Sequence, residues 1–254
     1  MSIELALVQV RERMAEAALR AGRQPSAVAL IAVSKTFPAS AVLQAIAAGQ
    51  RDFGENRVEE ALPKQAQVQA EAGEINPAAH WHLIGHVQSR KAKDAVGTFE
   101  LIHSVDSLKL AEALNRRSGQ AGLQAAVHAN QPPVTTSILL ECNVSGEASK
   151  EGFDLADWQT ESAKFDAFVQ TVTAIVVLPH IRLRGLMTMA PIVDQADQAR
   201  PVFARLRALR DALRERFPQV DWIHLSMGMS DDFEAAIAEG STLVRVGRAI
   251  FGGR

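Results

Sequence analysis

The chain has 254 residues, and its 27 basic against 29 acidic side chains leave it near neutral, without the basic footprint of a nucleic-acid binder. Its one cysteine, Cys142, excludes an internal disulfide and fits a reducing cytoplasm. An acid at position 4 is wrong for a signal peptide, and no apolar run approaches the ~20 residues of a membrane span, so a soluble cytoplasmic protein is expected.

Ile3, Leu7, Val10 and Met14 recur at helical spacing and predict an amphipathic helix closed by Gly22. Six apolar residues, Val28 to Val33, then predict a parallel strand buried on both faces and ending at Lys35. Pro38 opens a helix to Gly49, Arg51 to Asn56 reads as a second strand, and a helix rich in Glu, Gln and Ala runs to about Ala72. His80 to Gly85 is a third strand, Val87 to Val96 a short basic helix, and Leu101 to Val105 a fourth strand. Ser107 caps a helix from Leu108 to about Arg117, after which Gly119 to Thr136, with Pro132 and Pro133, reads as a surface excursion. Ser137 to Val144, Ile181 to Met187, Trp222 to Ser226 and Leu243 to Val246 complete eight strands, with helices over much of Asp157–Val177 and over Asp194–Phe217. Ser230 is expected to cap a short helix to Glu239.

Eight short strands alternating with helices argue for a (β/α)8 barrel of TIM type, here with an extra N-terminal helix, in a single domain over residues 1–254. An open doubly wound sheet fits less well, because no Gly-x-Gly-x-x-Gly follows the first strand; Lys35 stands there instead. Side chains alternate along a strand, so Lys35 shares the face of Ile31 and Val33. A lone lysine at a strand end snorkels to solvent as readily as it serves as a nucleophile, so the loops must decide.

The loops after the last two strands of such a barrel often hold phosphate. Ser226-Met-Gly-Met-Ser230 offers hydroxyls, Gly228 and a helix start, and Arg245-Val-Gly-Arg248 offers Gly247 where the backbone leaves the strand. Arg245 points into the barrel and needs an acceptor: a carboxylate such as Glu141, or the nitrogen of a bound heteroaromatic ring. An amine at Lys35, a ring partner at Arg245 and two glycine loops together suit pyridoxal 5′-phosphate (PLP). His80 and His82 share a face but lack a third ligand nearby, so no metal is expected; Lys91, Lys150 and the arginines of 205–216 read as solvated, and Cys142 as a small apolar residue.

Ala32-Val-Ser-Lys-Thr36, Phe53-Gly-Glu-Asn-Arg57, Trp81-His-Leu-Ile-Gly85 with Gln88-Ser-Arg-Lys91, Ser226 to Phe233 and Val244 to Gly252 span almost the whole chain. In order and spacing they resemble the pyridoxal phosphate homeostasis protein family, cytoplasmic PLP-binding barrels similar to the N-terminal domain of alanine racemase. The resemblance implies that Lys35 forms the internal aldimine, that Ser226, Gly247 and position 248 contribute to the phosphate cup, that Arg245 lies by the pyridine nitrogen, and that Asn56 lines the pocket. Position 248, often threonine in the family, is Arg248, which carries over only its amide. The excursion from Ala121 to Thr136 is longer than the family pattern leads one to expect.

Three readings are open: a PLP carrier without robust catalysis, a PLP-dependent racemase-type enzyme, and a cofactor-free aldolase built on Lys35. Racemisation needs a second acid/base opposite the lysine, supplied in alanine racemase by a tyrosine from a C-terminal β-domain. This sequence contains no tyrosine and stops at Arg254, just after the eighth strand. A permanently charged arginine also favours an unprotonated pyridine nitrogen, a poorer electron sink. An aldolase has no use for a phosphate cup. The expectation is therefore a protein that binds PLP reversibly in vitamin B6 homeostasis, as a monomer or weak dimer, with PLP-dependent apoenzymes as the partners it would serve.

Overall fold

The apolar run around Ile31 forms β1 (Ala29–Val33) in the computed structural model, which describes residues 2–72, 79–129 and 134–253. The remaining strands are β2 (Asp52–Glu55), β3 (His80–Leu83), β4 (Leu101–Val105), β5 (Thr136–Asn143), β6 (Phe153–Asp154), β7 (Ile181–Met187), β8 (His224–Ser226) and β9 (Leu243–Val246). All pairings are parallel, in the order β4-β3-β2-β1-β9-β8-β7-β5, and a β4–β5 pairing closes the ring. The two-residue β6 lies beside β5 outside that ring, so eight of the nine strands make a closed TIM-type barrel.

The helices are α1 (Ile3–Arg20), α2 (Ala39–Ala47), α3 (Val58–Ala72), α4 (Ala92–Ala95), α5 (Leu108–Ala129), α6 (Ser162–Val176), α7 (Arg200–Arg216), α8 (Phe233–Ala238) and α9 (Arg248–Phe251). The expected N-terminal helix is α1, which buries Leu7, Val10 and Met14 on one stripe. Alternation along the strands builds two cores. Ile31, Leu101, Leu139, Met187 and Leu243 fill the barrel's interior, while Leu30, Ala32, Ile102, Ile138 and Val244 face outward into the helix layer. Burying each such side chain is worth about 1.5–3 kcal/mol, which is why these strands carry apolar residues on both faces.

Three expectations need correction. β1 ends at Val33, not Lys35; Ser34 leaves the strand and Lys35 and Thr36 form a turn. Helix α5 continues through Gly119 to Ala129, because the Ala, Leu and Gln of that stretch outweigh a cost of about 1 kcal/mol per glycine. The excursion thus shrinks to the few residues after Ala129, and positions 130–133, with both prolines, lie outside the described residues. Helix α8 begins at Phe233 with Asp232 as its cap residue, so Ser230 is not the cap.

Candidate functional site

Lys35 stands at the C-terminal mouth of the barrel between one pinned residue and one strained one. Ser34 is fully buried: its amide donates to the Gly54 carbonyl at 3.1 Å and its hydroxyl to Glu55 Oε1 at 2.6 Å. Its carbonyl accepts from the Phe37 amide at 3.1 Å and from Lys64 Nζ at 2.8 Å. Lys64 also pairs with Glu55 Oε1 at 2.7 Å, and both charges are withdrawn from solvent, with side chains 9% and 0% exposed. On the other side Thr36 has φ +67°, a left-handed conformation that costs an L-residue roughly 1–2 kcal/mol and is an outlier for a β-branched one. Such strain persists only where the surroundings over-determine it, and here it fixes the backbone next to Lys35.

The wall opposite comes from the turn after β9. A Cβ on Gly247 would meet Val33 Cβ and the Val33 carbonyl oxygen, each at 3.2 Å, so a side chain here would crowd the end of β1. Val33, Lys35, Phe37, Gly247, Arg248, Gly252 and Gly253 line one cavity of about 330 Å³, of the size that small ligands occupy. Phe37 and Phe251, with ring centroids 5.1 Å apart, tie the two loops together. Helical geometry leaves the first amides of α9 without intrahelical acceptors, and the exposed Arg248 guanidinium, ion-paired with Asp231, adds positive charge beside them. An amine, a glycine-shaped wall and cationic donors at one end form a donor set that suits a phosphorylated aldehyde.

The structure brings Lys35, Gly247 and Arg248 together in the lining of one cavity, whereas Ser226, Arg245 and Asn56 are not among its lining residues. Ser226 sits on β8 level with Leu243, and its buried hydroxyl lies 2.6 Å from Arg245 Nη1 and 2.8 Å from His103 Nδ1. Arg245, 4% exposed, makes no ion pair with Glu141; it donates to the Ser226 carbonyl at 2.8 Å and the Thr188 carbonyl at 3.0 Å. Burial pulls its pKa down to about 10 against the pull of Glu141 and Asp232. Asn56 lines an adjacent cavity of about 390 Å³ with His86, Arg90 and Lys91. The loop after β8 satisfies itself: the Met229 amide donates to Asp232 Oδ1 at 2.6 Å. Cys142 is buried as expected, and burial pushes its thiol well above the usual range.

Sequence reading passed over Glu55, Lys64, Thr188 and His103. His103 was legible in principle, as an imidazole two residues after Leu101 and so on the same inward strand face. The Glu55–Lys64 pair had no local signal, since the partners lie nine positions apart on a strand and a helix.

Residues 6–254 match the family model for the alanine racemase N-terminal domain. The chain is 44% identical over 249 residues to a pyridoxal phosphate homeostasis protein of Pseudomonas aeruginosa, covering 98% of this chain and 94% of the relative. It is 40% identical over 248 residues to the protein of that name in Escherichia coli, covering 98% and 95%. Among solved structures, PipY of Synechococcus elongatus with PLP bound is 40% identical and superposes with a TM-score of 0.71, covering 96% of this chain and 100% of that one. Alanine racemase from Clostridium difficile, at 15% identity and a TM-score of 0.64 over 96% of this chain and 59% of its own, shares the barrel alone. Among the described residues, no helix is long and apolar enough to cross a membrane.

Proposed function

The chain belongs to the pyridoxal phosphate homeostasis protein family, and from that premise we propose that it binds PLP reversibly at Lys35 as part of intracellular vitamin B6 homeostasis, without robust catalysis of its own. The observation that carries this reading is the single cavity shared by Lys35 and the Gly247–Arg248 turn. When bound, PLP supplies an aldehyde for a primary amine and a dianionic phosphate for backbone donors. Lys35 is the amine, condensing with the aldehyde with loss of water. The amides around Gly247 and Arg248, with the Arg248 guanidinium, face the phosphate. Arg245 would be the partner of the ring nitrogen: three of its five N–H donors are committed to Ser226 and Thr188, and it has no proton to exchange with a ring nitrogen at neutral pH.

The names of the two curated relatives describe homeostasis and not a reaction, which supports a carrier over a racemase-type enzyme. In this reading the partners are PLP-dependent apoenzymes of the cytoplasm. The test is a PLP titration followed by absorbance, borohydride reduction and peptide mapping. Wild-type protein is expected to turn yellow and to carry the reduced adduct on Lys35, and Lys35→Ala to lose the visible band. An adduct mapped to another residue, or rapid alanine racemisation, would overturn the proposal.

A further inference from the structure

Beneath the mouth a row of polar side chains crosses the barrel's interior. Ser226 Oγ lies 2.6 Å from Arg245 Nη1 and 2.8 Å from His103 Nδ1; His103 Nε2 lies 3.1 Å from His82 Nδ1; His82 Nε2 lies 3.3 Å from Asp52 Oδ1. Ser226 and His103 are fully buried and His82 is 6% exposed, whereas Asp52 opens to solvent at the start of β2, at the other end of the barrel.

The direction of every bond is set by the guanidinium. Arg245 can only donate, so Ser226 Oγ accepts from it. The buried hydroxyl proton then needs an acceptor, and His103 Nδ1 is the one within reach among the described residues. His103 therefore carries its proton on Nε2 and donates to His82 Nδ1, and His82 carries its proton on Nε2 and donates to Asp52. Burial, reinforced by His82 and Arg245, holds His103 well below the ordinary histidine pKa and hence neutral, as this order requires. All the dipoles point the same way, from a cation at one end to a carboxylate at the other, an arrangement in which each bond polarises the next. Because arginine does not give up its proton, the row cannot deliver protons to the mouth. Its effect is to orient.

We propose that Asp52, at the barrel end opposite the cofactor mouth, is a positioning residue that fixes the Arg245 guanidinium through His82, His103 and Ser226. Its consequence for PLP rests on Arg245 as the partner of the ring nitrogen, whereas the orientation itself is measurable without cofactor. His80 also reaches Asp52 Oδ1 at 3.2 Å, and His224 interacts electrostatically with both His82 and His103.

The test is long-range proton–nitrogen correlation on the full-length protein labelled at histidine and arginine nitrogens, first without cofactor. His103 is expected neutral with its proton on Nε2, and the Nδ1 of both His82 and His103 is expected to be acceptor-shifted. Asp52→Ala is expected to displace the His103 and Arg245 side-chain resonances, shift the absorbance maximum of the PLP complex and weaken PLP two- to ten-fold, about the worth of one hydrogen bond. Asp52→Asn, whose carbonyl also accepts, is expected to restore all three. A proton on His103 Nδ1, or unmoved His103 and Arg245 resonances in Asp52→Ala, would overturn the proposal. Wild-type protein that shows the expected pattern but never binds PLP would instead overturn the cofactor reading and leave the orienting role of Asp52 supported.

Discussion

Thr36 holds a conformation that threonine avoids, one residue from Lys35. Thr36→Gly would relieve about 1–2 kcal/mol of left-handed strain and add back about 0.5–1 kcal/mol of chain entropy, so the melting temperature should hold or rise slightly. Cofactor affinity should fall, because the backbone next to Lys35 is no longer fixed. Calorimetry paired with a PLP titration checks both. A clear drop in melting temperature would mean that Thr36 is held by packing that rewards it. At this scale the alternation rule carried the first strand two residues too far, to Lys35. Ser34 turns out of the ladder to meet Glu55 and Lys64, partners that no spacing in the chain announces.

Between elements, the buried Glu55–Lys64 pair bolts α3 to the end of β1 through Ser34. Lys64→Met would strand a fully buried carboxylate and should cost about 3–5 kcal/mol in denaturant unfolding, while adding Glu55→Leu should recover most of that loss. A single variant as stable as wild type would show that the pair contributes nothing. The turn from β8 to α8 makes a second case. Gly228 has φ +96°, and a Cβ there would stand 2.6 Å from Ala236 Cβ and 2.9 Å from Phe233 Cα. Gly228→Ala should therefore cost more than the roughly 1–2 kcal/mol of left-handed strain expected for Gly22→Ala, where φ is +67° and nothing lies within 4 Å. Parallel thermal melts compare the two. Here the sequence reads Gly228 as part of a phosphate loop, and the fold adds that its missing side chain lets α8 pack close against that loop.

Over the whole molecule the barrel interior is shared between apolar side chains and buried polar ones. Burial pushes the Glu141 carboxyl up to about 7 against the pull of Arg245, with Asp106 and Glu151 adding to the rise. A raised carboxyl pKa means that the fold favours the protonated form. This group's contribution to stability is therefore complete below the ordinary glutamate value and is lost as pH climbs through about 7. Glu141→Gln should remove roughly 1–3 kcal/mol of that loss between pH 5 and 8, as read from denaturant midpoints across the range. Identical pH profiles for the two proteins would refute it.

Periodicity and turn chemistry by themselves determined the barrel, its N-terminal helix and the position of Lys35 at a strand's carboxyl end, because each is a local matter of which face a side chain takes. They also put Gly247 at the turn leaving the last strand, since a side chain would crowd a backbone that bends so closely there. What only the tertiary structure decided is which of the marked residues meet. Gly247 and Arg248 join Lys35 because β1 and β9, the first and last strands, become neighbours when the ring closes. Ser226 meets both Arg245 and His103, because donors and acceptors shut away from water must find one another across whatever strands surround them.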